Sequence, residues 1–553
     1  MTEKECTELA DLLYPNVKDV SYYFEKYKDR NVLGEVTRLG PSPTGYLHIG
    51  HLMQALIHRM LANVTNGIFY LRLEDTDEKR EIKNAGEVAY DMLVRFGLTP
   101  DEGYRGSLEE VGDYGPYVQS KRLAIYHAFA HELVRLGRAF PCFCASTAGK
   151  EEIIKKREKE LNESMDLEVK DPCRDLTLDE IKDKLKQGKP FALRLKSTGD
   201  KEKTHEFKDE IMGKRDLREN ARDDILIKSN GIPVYAFAHI VDDNLMKTTV
   251  IVRGQDWYQS LPVHIELNRA FGFKPFRYAH TPNICILDEN TGNKRKLSKR
   301  KDAFADVRFF LEKGYPIVAV IEYLLTLLNS DFEMWRKNNP TFSYTEFPFS
   351  LKKIGVSSPL FDFMKLNDIS KTIISKMTAA EVYDETVKWA NEWDKEKLDI
   401  LSSNRQRLLQ VFSIDRGGDR PRKDITYFSE VLDLYKYVLP NFEPVFNIGE
   451  VENKDELIAF LKDYEAQYIE QDNNQDWFNN LKEVGNKHNF VDNKLFKQNP
   501  TMYAGNVATA SKFVRIAITG SENSPELYSI MKILRAEECK SRINKLIQYL
   551  QKI

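Results

Sequence analysis

The chain of 553 residues carries 82 Lys and Arg against 85 Asp and Glu, a formal net charge of -3, with 42% hydrophobic and 30% charged residues. That length exceeds what one hydrophobic core holds, so several domains are expected, and the balanced charge excludes a bulk-basic nucleic-acid coat. No apolar run approaches the roughly 18 residues of a membrane span, the N-terminus lacks a basic-then-apolar leader, and six cysteines are too few for a secreted disulfide framework, so a cytoplasmic protein with no membrane partner is expected.

Residues 1 to 30 read as a helical N-terminal extension. GEVTRLG, Gly34 to Gly40, alternates apolar and polar side chains as a strand does. The turn-rich PSPTGYLHIGH follows, then HLMQALIHRMLANVTNG with helical spacing and a terminating Gly67. IFYLRLEDTD, Ile68 to Asp77, is a β-branched and aromatic run, and strand–helix–strand at this spacing makes a βαβ unit in a parallel sheet.

From about Gly137 to Arg222 the pattern changes in kind, with a PCFC turn, the charge-dense helix EEIIKKREKEL and a short strand FALRLK, and reads as an insertion in the sheet domain. DDILIKSNGIPVYAFAHIVDD then reads as a return to strand-like runs, and VIVRGQD as a buried strand whose end carries Arg253, where open α/β sheets bind ligands. From about Phe361 onward the pattern is helical. Asn441 to Pro500 holds twelve acidic and six basic side chains, and Thr501 to Ile553 eight basic and four acidic. RNA contact in the C-terminal part would therefore fall on the latter stretch.

Two segments carry chemistry. His48 and His51, three apart at the start of a helix, share a face of its first turn. Unpaired N–H groups and a partial positive charge make that turn a seat for phosphate, and Gly50 leaves room for a base against the backbone. In KRKLSKRK, Lys294 to Lys301, six of eight residues are basic. Lys296 and Lys299 in that loop can neutralise a leaving pyrophosphate. Neither a Gly-rich P-loop nor a GxGxxG fingerprint is present, which argues against kinases, P-loop NTPases and dehydrogenases.

PSPTGYLHIGH and KLSKR, in that order, resemble the HIGH and KMSKS signatures of class I aminoacyl-tRNA synthetases, and specifically of bacterial-type glutamyl-tRNA synthetases. TRLGPSPTG, LRLEDTD, VRGQDW, FDFMKLN and RIAITG extend the likeness over nearly the whole chain. The resemblance implies an α/β protein: a Rossmann-like parallel-sheet catalytic domain with an inserted α/β acceptor-end-binding domain and an all-α anticodon-binding region. Its parts would be the extension 1–30, the catalytic halves 31–136 and 223–290, the insertion 137–222, a KLSKR and stem-contact region 291–365, and the helical region 366–553. It further implies a glutamate–tRNA ligase using ATP with Mg2+, acting as a monomer on L-glutamate and tRNA(Glu), and leaves open whether tRNA(Gln) is also charged. His48, His51, Lys296 and Lys299 would be catalytic, with His48, Gly50, His51 and Lys299 on ATP. Glutamate would meet Arg38, Ser42, Glu74, Tyr235 and Arg253, the arginines reading carboxylate and Glu74 holding the α-amino group.

The chain departs from the family pattern at Leu39-Gly40, where relatives have an aromatic residue and alanine, and at His239, where many have Asn. Cys142, Cys144 and Cys173 resemble a zinc knob whose fourth ligand, commonly His, would here be Asp175. The alternative is idle buried thiols. His58, on the helix of the HIGH histidines, reads as an ordinary surface or packing residue.

Overall fold

The computed structural model describes residues 1–43, 45–77, 82–107, 109–144, 171–446, 448 and 451–552, so the charge-dense helix expected over 151–161 lies outside the described residues. Contacts divide the chain into two units, Met1–Phe309 with Ile321–Asp362, and Phe310–Val320 with Phe363–Ile553.

The extension forms α1 (Glu3–Leu13), opened by a capping box between Thr2 and Glu5, and α2 (Val20–Lys26). It is no loose tail, because Leu9, Ala10 and Leu13 enter the same core as Phe129 and Leu133. β1 (Val36–Leu39), α3 (Ile49–Thr65) and β2 (Ile68–Leu71) realise the βαβ unit, with β1 and β2 parallel from Val36↔Ile68 to Leu39↔Leu71. α3 ends at Asn66 in the left-handed region, and Gly67 is bare because a Cβ there would meet Glu35 O at 2.0 Å. After α4 (Ala85–Arg95), β3 (Glu102–Tyr104) adds parallel to β2, and β4 (Glu110–Val111) closes that edge antiparallel.

α5 (Leu123–Arg135) leads into the middle region, where β5 (Ala139–Cys142), α6 (Leu178–Lys186) and β6 (Ala192–Leu195) precede a hairpin of β7 (Thr204–Asp209) and β8 (Gly213–Arg218). β9 (Ile225–Ile227) pairs with β6 in the order β5-β6-β9. The strand-like reading of DDILIKSNGIPVYAFAHIVDD holds for β9 alone. Its second half is a helix, α7 (Tyr235–Leu245), whose residues Phe237 to Asp243 are all buried. A helix buried on every side has no polar stripe, so its sequence reads like that of a buried strand.

β10 (Val250–Gly254), α8 (Leu261–Ala270) and β11 (Arg277–Thr281) follow, β10 and β11 being parallel with Arg253 opposite His280. Thr249 N–H donates to Val36 O at 2.9 Å, which brings β10 beside β1. An antiparallel pair, β12 (Cys285–Leu287) and β13 (Lys294–Lys296), carries the KLSKR loop. The C-terminal unit is helical from Phe363–Ser375 to Leu527–Lys552, apart from a short parallel pair, Phe490–Val491 with Gly505–Asn506. Its helices share a core including Leu408, Phe412, Phe460 and Leu546. Among the described residues no helix is long and apolar enough to cross a membrane.

α7 enters the sheet domain with two adjacent buried carboxylates. Asp243 accepts from Arg38 Nε of β1 at 3.1 Å and from Arg72 Nη1, just after β2, at 2.7 Å. Asp242 faces Arg122 Nε at 2.6 Å and also accepts from Gln119 and Tyr126. Burial works against the charge on Asp243, but Arg38, Arg72 and His239 outweigh it and hold this carboxyl well below its ordinary range. Asp243→Asn would leave two buried guanidinium groups without their full counter-charge. It is expected to destabilise the N-terminal unit by about 3–5 kcal/mol, read as a lower urea midpoint by tryptophan fluorescence, while the exposed control Asp183→Asn shifts nothing.

Candidate active site

A cavity of about 750 Å³ opens at the carboxyl ends of β1 and β10, and Arg38, Ser42, His48, Gly50, His51, Glu74, Tyr235, Arg253, Lys296 and Lys299 all line it. Segments more than two hundred residues apart in sequence therefore converge on one site, although Thr44 of the PSPTG turn lies outside the described residues.

His48 is the N-cap of α3, and its Nδ1 accepts from Gly50 N–H at 2.9 Å. The proton of the neutral ring must then sit on Nε2, leaving that nitrogen a donor. A Cβ at Gly50 would crowd His48 Nδ1 at 3.2 Å, so glycine leaves the ring undisturbed. Burial, then His51 and the lysines, push the His48 imidazole down to about 4. His51, open to water from the cavity, is shifted the same way by its crowded surroundings and by Lys299 and Lys296.

The KLSKR loop is held by Asp302, which takes two bonds of 2.7 Å from Arg295 and one of 2.9 Å from Ser298 N–H. Lys299 Nζ reaches Tyr46 O in the HIGH turn, and Lys296 pairs with Asp256. Burial lowers the Lys299 ammonium from its ordinary value. Two ammonium groups and two imidazole donors thus face one cavity, an arrangement suited to a polyphosphate.

The opposite wall suits an amino acid. Among the described residues Arg38 hydrogen-bonds through Nε alone, to Asp243, so its outer nitrogens are available to a ligand. Glu74 is buried, raised by desolvation against the pull of Arg72 and Arg38, and bonded to Arg72 Nη2 at 2.8 Å. Its Oε1 lies 2.3 Å from where a Cβ on residue 40 would be, so Gly40 leaves the carboxylate its place in this chain. Tyr235 stacks on His239 at 5.3 Å and meets Trp257 at 4.3 Å. The variant His239 donates from Nδ1 to the ionised Asp243 carboxylate and so buttresses Arg38 from behind. Arg253, 3% exposed, has only neutral partners among the described residues: His280 Nε2 and His264 Nδ1 at 3.1 Å, Trp257 O at 3.4 Å and Tyr235 Oη at 3.5 Å, with Tyr278 beneath it at 5.0 Å. Among the described residues no carboxylate pairs with it. His58 is a packing residue, fully buried against Phe69 and bonded to Thr37.

Asp243, Arg72, His264 and His280 escaped the sequence reading. DD beside an apolar run and R two positions before Glu74 were visible, but neither is marked as a network without the fold.

The cysteines need a correction. Cys142, Cys144 and Cys173 do converge, but the carboxylate within 4.8 Å of all three sulfurs is that of Asp171, not Asp175. Asp171 caps the 3-10 turn Pro172–Asp175 and accepts from Cys173 N–H, so its carboxylate folds back beside the sulfurs, whereas Asp175 sits at the far end of that turn. Cys144 and Cys173 sulfurs are 3.6 Å apart, and Cys142 Sγ is 3.2 Å from Asp171 Oδ2. A tetrahedral zinc with about 2.3 Å bonds to sulfur would space its ligand atoms by about 3.8 Å, so the four residues fit the ion.

The parallel sheet, the HIGH turn at its carboxyl edge and the lysine loop over it are the parts of a class I aminoacyl-tRNA synthetase. Residues 35–336 match the family model for the catalytic domain of class I tRNA synthetases (E and Q), and 506–547 match an anticodon-binding domain. The glutamate–tRNA ligase of Acetivibrio thermocellus is 40% identical over 98% of this chain and 99% of its own length, and that of Clostridium perfringens strain SM101 is 40% identical over 98% and 99%. The glutamate-tRNA synthetase structure from Elizabethkingia anophelis shares the fold, with a TM-score of 0.73 at 23% identity, covering 93% of this chain and all of that one. The chain belongs to the glutamate–tRNA ligase family.

A His48 value of about 4 has a pH signature. The unfolded ring binds protons near 6.5 and the folded one does not, so His48 costs stability as pH falls from 6.5 towards 4. A bound polyphosphate favours the imidazolium, so pyrophosphate binding at pH 5 should take up protons. Calorimetry in buffers of different ionisation enthalpy should show the uptake in the parent and a smaller one in His48→Gln.

Proposed function

We propose that the chain activates L-glutamate with ATP and Mg2+ to glutamyl-adenylate and transfers the glutamyl group to tRNA(Glu), as a cytoplasmic monomer. The observation that carries this reading is Arg253, a buried guanidinium with no carboxylate partner among the described residues, facing the cavity that the HIGH histidines and KLSKR lysines share. A buried arginine without a counter-ion is costly, and a substrate carboxylate in a planar two-bond pair offsets that cost where a neutral amide does not.

In the reaction, an α-carboxylate oxygen of glutamate attacks the α-phosphorus of ATP and pyrophosphate leaves. Arg253 holds the side-chain carboxylate, with Tyr235 beside it. Glu74 takes the α-amino group, and the outer nitrogens of Arg38 take carboxylate oxygen. His48 donates from Nε2 to the α-phosphate, where charge grows, with His51 next to it, and Lys296 and Lys299 leave their protein partners for the departing pyrophosphate. A hydroxyl of the terminal tRNA ribose then attacks the acyl carbon and AMP leaves. The region 137–222 would grip the acceptor end, 291–365 the stem, and 366–553 the anticodon. Cys142, Cys144, Cys173 and Asp171 would hold a structural zinc, with four protein ligands and no open position for catalysis.

Two measurements test this. Arg253→Ala should lower kcat/KM for glutamate at least about tenfold in aminoacylation of tRNA(Glu); a smaller change would refute the assignment. Emission spectrometry should find about one zinc per chain, lost in Cys144→Ser; a metal-free parent that charges tRNA normally would remove zinc from the reading.

A further inference from the structure

Arg253 is aimed by a relay that ends outside the cavity. Its Nε donates to His280 Nε2 at 3.1 Å, and the other ring nitrogen, Nδ1, meets Asp209 Oδ2 at 2.6 Å. A guanidinium can only donate and an ionised carboxylate can only accept. His280 is therefore neutral with its proton on Nδ1. A second proton would set N–H against N–H, and burial lowers the His280 value from its ordinary one accordingly. His280 is fully buried and Asp209 1% exposed, so water supplies no alternative partner.

Asp209 is held in turn. Its Oδ1 accepts from Ile211 and Met212 N–H, each at 2.9 Å. Burial opposes its charge, but these bonds and His280 prevail and keep its carboxyl below the ordinary range. It terminates β7, a strand otherwise exposed or half-exposed along its length, in the hairpin β7–β8. The hairpin therefore sends one buried, charged side chain inward, to the ring behind Arg253.

We propose that Asp209 is a positioning residue for glutamate selection: it fixes the His280 tautomer that accepts from Arg253 and so sets the guanidinium at the angle a side-chain carboxylate needs. This rests on the reading of Arg253 as the residue that holds that carboxylate. Asp209 touches no substrate. Its effect passes through His280, whose ring it orients and whose backbone N–H also donates to it at 3.2 Å.

The substitution Asp209→Asn separates tautomer control from bulk. The amide oxygen keeps the bonds from Ile211 and Met212, while its NH2 now faces His280 Nδ1. The ring must then carry its proton on Nε2, pointed at an Arg253 donor. In aminoacylation by the full chain, KM for glutamate should rise about tenfold or more while KM for ATP stays within about twofold. His280→Gln supplies the rescue, since its amide oxygen accepts from Arg253 whatever stands at 209. In that background Asp209→Asn should change KM for glutamate by less than about twofold.

An unchanged glutamate KM in Asp209→Asn, with Arg253→Ala strongly impaired, would overturn the role of Asp209 and leave that of Arg253 standing. Were Arg253→Ala also unimpaired, both would fall. A rise shared equally by glutamate and ATP, or one that persists undiminished beside His280→Gln, would mark Asp209 as a merely structural residue and refute the proposal.

Discussion

The site depends on a pair of carboxylates that never face the substrate. Asp242 and Asp243 are consecutive on a helix buried on every side, and they point into two clusters, one around Arg122 and one joining Arg38 to Arg72. Burying these charges costs several kcal/mol each before they attract one another, so the network contributes little net stability. What it supplies is specificity of arrangement. Arg38 and Arg72 come from around the two central strands, and the Asp243 carboxylate bridges them while Asp242 also lies within ion-pair reach of Arg72 at 3.7 Å. Arg72 in turn holds Glu74, and His239 closes the cluster against Tyr235. The amino-acid side of the cavity is thus built backwards from the helix core.

The phosphate side is built differently, from turns and helix ends. Its histidines are set by a backbone donor and a missing Cβ, its lysines by a loop that Asp302 ties down. Those lysines rest on a carbonyl and a carboxylate, partners that an incoming anion replaces without disturbing the sheet. One half of the site is set by buried ion pairs, the other held by exchangeable contacts, which suits a small zwitterion on one side and a departing polyphosphate on the other.

This division explains what the sequence disclosed. The phosphate side lies in short continuous stretches whose spacing has a local meaning, and HIGH, Gly50 and KLSKR could be read directly. The pocket arginines came through resemblance, and all of them line the cavity. α7 was misread because burial on all faces erases the periodicity that separates helix from strand. His280 and Asp209 carry no local signature, being single residues brought together by β11 and a hairpin. Asp175 follows from the family's position for the fourth ligand, two residues after Cys173, and that spacing ignores that a capping residue such as Asp171 turns its side chain back over the turn it starts.

Gly40 and Glu74 share one small volume, the carboxylate occupying what any side chain at 40 would claim. The two positions are thereby coupled in space. Alanine at 40 would meet Glu74 Oε1 at 2.3 Å, so the carboxylate at the free end of that side chain would have to move aside. A substitution at 40 is therefore felt first at residue 74, in the hold of its carboxylate on Arg72.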